Sequence, residues 1–436
     1  MNRIAPLLLI LVLFAGCKNK LIFDKNLAHE SMGFINQAKE LCDNDNAKLW
    51  GFSLHAPILL AETNSNTVFA SQNPDSLYKY KELFVGHSNI NLLVDNGIID
   101  WHKQKWVLLS LPLPTDDFER RELMATELFR FHESKIGLNK LQTPKCAHLD
   151  DPTNRLWMKI EAEALKSALT TFDNSVQKEH IRMALAARNM RKVNTGQMFV
   201  RENLHDLKLG IPQLTGLLLS GRSDEQDTEY LYQQLETFQQ SENFLNSFSS
   251  IFLPTYGLLM SKNGNEWLKD INSETNLMSF ILDFYDFKYH EDFLDLLVLL
   301  KSRYNGEKFE KEEVIVKIEK QKELDKYHIK FFESPCVFIT IDASTNYQFK
   351  PEKEIHFENR GSVYFDFVAS GNWGSISISD GALLAANKGY FYFSLPIKTE
   401  GQKVWGSDWE MTLNEGYSIV QYKNSDKFTV QKNKNK

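Results

Sequence analysis

The stretch Leu123-Met124-Ala125-Thr126-Glu127-Leu128-Phe129-Arg130-Phe131-His132-Glu133 decides how most of this chain is read. Met124, Leu128 and Phe131 recur at i, i+4 and i+7, which is one apolar stripe of a helix, and Glu127 lies at the edge of that stripe. Asp116 and Asp117 just upstream are the residue type that caps a helix N-terminus. Before them, Trp106–Leu111 has the length and composition of a strand, closed by Pro112 and Pro114. Two strand-like patterns stand earlier. One is Leu49–Leu54; the other comprises Ile58–Leu60 and Thr67–Ala70 about a turn at Asn64-Ser65-Asn66. Ala28–Cys42 reads as a short helix.

Beyond the quoted stretch, apolar residues keep recurring at three and four from Phe118 to about Lys330. This predicts a mostly helical region with breaks at Gly210-Ile211-Pro212 and at Ser220 to Asp227. Glu312–His328 reads as a charged helix leading out of it. At Pro335 the pattern changes to short strands: Val337–Ile341, Ser362–Phe367, Ser375–Ser379, Tyr390–Ser394 and Glu410–Leu413. Asp380-Gly381 and Asn414–Gly416 are turn signals between them. The expected class is α+β. The divisions are a leader at 1–16, a tether and helix at 17–45, an α+β domain at 46–330 that is mostly helical after 116, and an all-β module at 335–432. The module is expected to be a small sandwich or barrel.

Strands followed by a helix of this kind resemble the zincin metallopeptidases, whose helix carries His-Glu-x-x-His. Two histidines one turn apart bind zinc there, and the glutamate activates water. The stretch is similar to an uncharacterised family of exported bacterial proteins with a His-Glu-Leu-Phe-His-Arg-Ile-Gln type motif. Leu149-Asp150 and Asn154–Glu161 resemble that family's second block, in which Glu161 would be the third ligand of a gluzincin. Lys208–Gly216 is similar to a third block, and Pro254–Leu259 and Trp373–Leu384 echo later parts. The likeness covers about residues 45 to 430. It implies a zincin-like domain followed by the β module.

The departures from that pattern matter most. Thr126 stands at the first ligand position and Arg130 at the second, while Glu127 and Glu161 remain. Leu209 and Gln213 stand where acids are expected. Threonine is a poor zinc ligand, and arginine is none because it keeps its proton. No metal is therefore expected. Trp157, Glu161, Ala164 and Ala168 share a stripe, which turns Glu161 inward. A buried carboxylate costs several kcal/mol unless paired, and Arg130 is the expected partner, with Glu127 beside it as a relic of a zinc site. The alternative is a surface i, i+3 pair of Glu127 and Arg130 with Glu161 in solvent.

No other motif restores the chemistry. His132-Glu133 is followed by Ile136 where a second histidine is needed. The other histidines do not repeat at metal spacing, and His148-Leu149-Asp150-Asp151 offers a weak cation loop at most. No Gly-x-Ser-x-Gly elbow and no phosphate-binding loop occurs. Aromatic residues of the β module, Trp373, Tyr390, Phe391, Tyr392, Trp405 and Trp409, offer either a glycan- or peptide-binding face or ordinary strand packing.

The chain's beginning bears on location. Arg3 precedes an eleven-residue apolar run, Ile4–Phe14, too short to span a membrane. Phe14-Ala15-Gly16-Cys17 resembles a lipobox, which implies cleavage before Cys17, lipid on that cysteine and an extracytoplasmic position, with the outer membrane preferred. An ordinary secretory leader ending in a cysteine is the alternative. Lys18-Asn19-Lys20 would be a polar tether. The remaining cysteines, Cys42, Cys146 and Cys336, are odd in number and lack Cys-x-x-Cys spacing, which speaks against a zinc-thiolate site. One extracytoplasmic disulfide is allowed, with the pair open. Apolar content of 42% and charged content of 25% fit a globular chain with a real core. A net charge of −7 with no basic stripe argues against nucleic acid. Three readings remain: a non-catalytic, lipid-anchored binding or scaffold protein on a degenerate peptidase frame; an active zinc peptidase with other ligands; and glycan or peptide capture by the β module.

Overall fold

The structure is a computed structural model that describes residues 23–433 except 75–76, 89–95, 242–246, 288–292, 397 and 424. The expectation for Cys17 and its leader lies outside these residues. The chain is α+β and forms two compact units, one ending at Glu313 and one beginning at Val314.

The first unit opens with α1 (Lys25–Asp45), capped by the Asp24 carboxylate on the Asn26 and Leu27 amides. Its Ala28, Ala38, Leu41 and Cys42 belong to the same apolar core as the helices that follow. A six-stranded sheet comes next: β1 (Ile58–Glu62), β2 (Thr67–Ala70), β3 (Tyr78–Tyr80), β4 (Leu83–His87), β5 (Gly97–Trp101) and β6 (Gln104–Leu111), in the order β3-β4-β2-β1-β6-β5. The sequence pattern shows β1, β2 and β6, the buried centre of this order, because hydrophobic runs mark strands covered on both faces. The flanking strands are short or half-exposed, and carry no such run. Leu49–Leu54, expected as a strand, is a turn and loop. Ala47 and Gly51 have φ of 61° and 75°, which breaks an extended path, although Leu49, Trp50 and Leu54 are still buried.

Among the described residues ten further helices follow: α2 (Asp117–His132), α3 (Pro152–Thr170), α4 (Asn174–Thr195), α5 (Phe199–His205), α6 (Ile211–Leu219), α7 (Asp224–Gln240), α8 (Phe248–Ser261), α9 (Leu277–Phe284), α10 (Phe293–Arg303) and α11 (Gly306–His328). Asp116 caps α2 through the Glu119 amide, Asp151 caps α3, and Ser223 with Gln226 forms a capping box on α7. The expected break at Gly210-Ile211-Pro212 is absent. Asp206–Gly210 is a π-helical turn that runs straight into α6, where Pro212 occupies the first turn and its missing N–H costs nothing.

The second unit holds the rest of α11 and one eleven-stranded sheet: β7 (Cys336–Thr340), β8 (Asn346–Phe357), β9 (Gly361–Gly371), β10 (Gly374–Ile378), β11 (Ala382–Ala385), β12 (Tyr390–Ser394), β13 (Lys398–Glu400), β14 (Lys403–Trp405), β15 (Trp409–Leu413), β16 (Tyr417–Gln421) and β17 (Lys427–Lys432). The order runs from β13 to β16, with β8 pairing β9 off this path. The five strands read from sequence are present. The other six are shorter or more polar, apart from β8, whose pairing to β9 shifts register between Gln348 and Glu354 and so breaks its alternation. An apolar cleft of about 480 Å³ is lined by Val404 of β14 and by Tyr417, Ile419 and Phe428 of β16 and β17. Both ends of the strand order thus meet around the core, and the sheet curls on itself, closer to a barrel than to two separate sheets.

Candidate functional site

Helix α2 brings the expected relic residues to one place only in part. Thr126 is buried, and its hydroxyl donates to the Glu122 carbonyl 2.8 Å away. The same face of α2 meets α6 at Gly216, where a Cβ would stand 2.2 Å from Thr126 Oγ1. Glycine is required there by closeness of approach. Glu127 is 2% exposed. Arg130 Nη1 donates to its Oε1 at 2.6 Å, so this pair is buried on the acid side and half-open on the arginine side. Burial raises the Glu127 carboxyl above its usual range, with Arg130 pulling it back.

Arg130 does not reach Glu161 as its partner, which corrects the relic bridge expected from the sequence. Glu161 is fully buried, as its stripe requires, and takes Arg188 Nε at 2.9 Å, Arg191 Nη1 at 2.6 Å and the Tyr256 hydroxyl at 2.9 Å. The surface-pair alternative also fails in its second half, since Glu161 is not in solvent. The reason is packing. α3 lies mainly against α4, α7 and α8, whereas α2 lies against α6, α1 and the sheet. Glu161 therefore meets the inward arginines of α4.

Those arginines continue the network. Arg188 Nη1 donates to Asp206 at 2.8 Å, and Arg191 Nη2 donates to Glu202 at 3.0 Å. His148 Nε2 lies 3.2 Å from Glu202. Three carboxyls and two guanidiniums, all buried, thus surround the junction of α3, α4, α5 and the π turn. Burial pushes Asp206 up to about 6, with Arg188 opposing. Burial also acts to raise Glu202, but Arg191, His148 and Arg188 outweigh it and hold that carboxyl below its ordinary value. Burial and Glu161 raise Tyr256 well above its ordinary range. Sequence periodicity did not single out Arg188, Arg191, Glu202 or Asp206. The signal lay in arginines spaced three apart within a helix whose other inward positions are mostly apolar, Ile181, Met183, Ala184, Leu185 and Ala187 among them.

The remaining candidates separate. His132 Nε2 meets the His55 carbonyl at 3.0 Å. The His148–Asp151 segment is no cation loop: His148 is turned to Glu202, Asp150 lies 3.8 Å from Arg155, and Asp151 caps α3. Gln213 and Arg222 both donate to Glu122, with the Tyr230 hydroxyl at 3.3 Å. Among the described residues no three His, Cys, Asp or Glu side chains are grouped as metal ligands. Cys42, Cys146 and Cys336 are free and buried. In the β module, Trp373, Phe391 and Trp409 are interior, which removes them from any binding face. Tyr390, Tyr392 and Trp405 stay at least partly exposed.

An open cleft lies beside the end of α2. Its volume is about 400 Å³, and its lining includes Ile98 of β5, Lys105 of β6, Arg130 and Glu133, and Lys208 with Leu209 of the π turn. Lys208 Nζ pairs with Glu133. Three cations face one carboxylate there, and β5 is the last strand of its sheet order. Among the described residues, no helix is long and apolar enough to cross a membrane. No family model matches the chain, and neither a curated protein nor a solved structure shows significant similarity to it.

Proposed function

We propose that the chain is a lipid-anchored envelope protein whose first unit is a zincin-like domain without peptidase chemistry, acting as a binding or scaffold protein. The observation that carries this reading is the Arg130–Glu127 ion pair. On the family pattern, Glu127 is the water-activating acid and Arg130 stands at a ligand position. A guanidinium on that carboxylate occupies it with a fixed positive charge where a dication would sit, and Thr126 is committed to a backbone carbonyl. The cleft beside the pair supports binding of a ligand with an anionic group, because Lys105 is exposed and Arg130 and Lys208 are partly so.

Metal analysis of the purified chain tests the reading. We expect no stoichiometric zinc, in the wild type or in Glu127→Gln. Stoichiometric zinc that disappears in Glu161→Ala would overturn it in favour of an active metallopeptidase. The anchor is tested separately: Cys17→Ser should move the protein from the membrane to the soluble fraction.

A further inference from the structure

The outward face of the β module carries a second site, and it rests on a different observation from the cleft beside α2. Strand register sets its side chains in two rows. In the first row Asn346 pairs with Ser370, Ser370 with Ser375, and Ser375 with Thr412. In the second, two residues along each strand, Gln348 pairs with Val368, Val368 with Ser377, and Ser377 with Glu410. Residues two apart on a strand share a face, so all eight project to the same side. All eight are exposed, while the alternate residues Phe367, Ala369, Ile376 and Met411 are buried in the core. These rows line a groove of about 550 Å³, within the size range of small-ligand sites.

Two properties of the groove restrict its occupant. Seven of the eight side chains are polar, and among the described residues none of the seven is hydrogen-bonded to another protein group. Polar side chains elsewhere in this unit are engaged: Asp408 by Lys330, Ser394 and Ser407, and Asp380 by Lys326 and Tyr327. Second, β9, β10 and β15 have neighbours on both sides, so their backbone groups are used within the sheet. A peptide cannot add as a strand to this face; β8, paired with β9 alone, keeps an edge at the groove's margin, and recognition on the face itself goes through side chains. Val368 is the one apolar side chain of the two rows, with Tyr347, Ala369 and Ile376 of the alternate positions lining the groove beneath them. An anionic ligand would meet Glu410, the one charged side chain of the lining among the described residues, while Lys403, opposite Thr412 on β14, stands at the rim beside Trp405.

We propose that this groove binds an oligosaccharide. Hydroxyl and amide side chains both donate to and accept from sugar hydroxyls, and the Glu410 carboxylate accepts from them. Trp405 lies opposite Glu410 in the register and is only half-buried, which provides an aromatic ring at the rim for the apolar face of a sugar. Glu410 takes two hydroxyls of one ring, or the ammonium of an amino sugar. The interior tryptophans of the module have no part in it.

Affinity electrophoresis of the purified full chain through gels containing a neutral β-glucan, a xylan or a galactomannan tests this, with calorimetry against soluble chito-oligosaccharides and muropeptides. Binding to at least one of these glycans is expected. Glu410→Gln should weaken it about tenfold, as expected for loss of a hydrogen bond to a charged group, and Ser375→Trp should abolish it by filling the groove. Both positions point to solvent, so both variants should keep the wild-type melting temperature; Ser377→Trp serves if Ser375→Trp does not fold. Binding to none of the glycans would overturn the proposal. So would glycan binding that persists in the folded variants, or a response to peptides in place of glycans.

Discussion

The junction of α3 with α4 and the outward face of β8, β9, β10 and β15 are both rich in polar side chains, yet they are built on opposite terms. At the junction Glu161, Arg188, Arg191, Glu202 and Asp206 are sealed from water and hold one another at 2.6–3.0 Å. On the sheet face Asn346, Gln348, Ser370, Ser375, Ser377, Thr412 and Glu410 are open and hold nothing in the protein. Burial explains the contrast. A charge taken out of water costs several kcal/mol unless paired, so the interior charges are set against one another. An exposed hydroxyl keeps its water and can exchange it for a sugar. Chemistry-bearing residue types in a core therefore mark stability here, and modest ones on a concave surface mark recognition.

The contrast breaks first at Glu161. Glu161→Ala leaves two buried guanidiniums short of a counter-charge, and we expect about 3–5 kcal/mol of lost stability, read by chemical denaturation. A loss below about 1 kcal/mol would mean that water already reaches this junction.

Asp206 gives a pH signature next in size. Its carboxyl rises from 3.8 to about 6 on folding, so the native state holds the proton more tightly than the unfolded state. Its contribution is fully present below pH 3.8 and is lost as pH rises through about 6, on the order of 2–3 kcal/mol by linkage. Asp206→Asn should remove that loss, so wild type and variant should diverge between about pH 4 and 6 in melting temperature. Glu202 has the opposite sign: its lowered carboxyl supports the fold above its ordinary range, and that support fades as pH falls.

At the end of α2 the expected effect is smaller. Arg130→Ala leaves the buried Glu127 carboxylate without its cation and should cost about 1–2 kcal/mol. Because the loss comes from ionised Glu127, the double variant Arg130→Ala/Glu127→Gln should regain much of it in a double-mutant cycle. The smallest effect belongs to the sheet face, where Glu410→Gln and Ser375→Ala should move stability by no more than about 0.5 kcal/mol, against the large loss expected in glycan binding.

Much of this arrangement was legible along the chain. The Met124, Leu128 and Phe131 stripe, the Asp116 cap, the inward turn of Glu161 and the change to strands after Pro335 all follow from local periodicity and capping, which act within a few residues. So does the absence of a His-Glu-x-x-His pattern at Thr126–Arg130, which residue types alone show. Partners could not be read in this way. Glu161 meets Arg188 and Arg191 rather than Arg130 because helices pack by shape, and α3 lies on α4. Trp373 and Trp409 turned inward because the sheet curls around them, which alternation along one strand cannot reveal. The two polar rows exist only through register, where a slip of one residue would send every side chain to the other face. The sequence alone determined most of the helices, the more apolar strands and the absence of a His-Glu-x-x-His pattern on α2; tertiary structure decided which charges pair with each other and which polar groups face solvent, because pairing and burial are set by contacts between residues far apart in the chain.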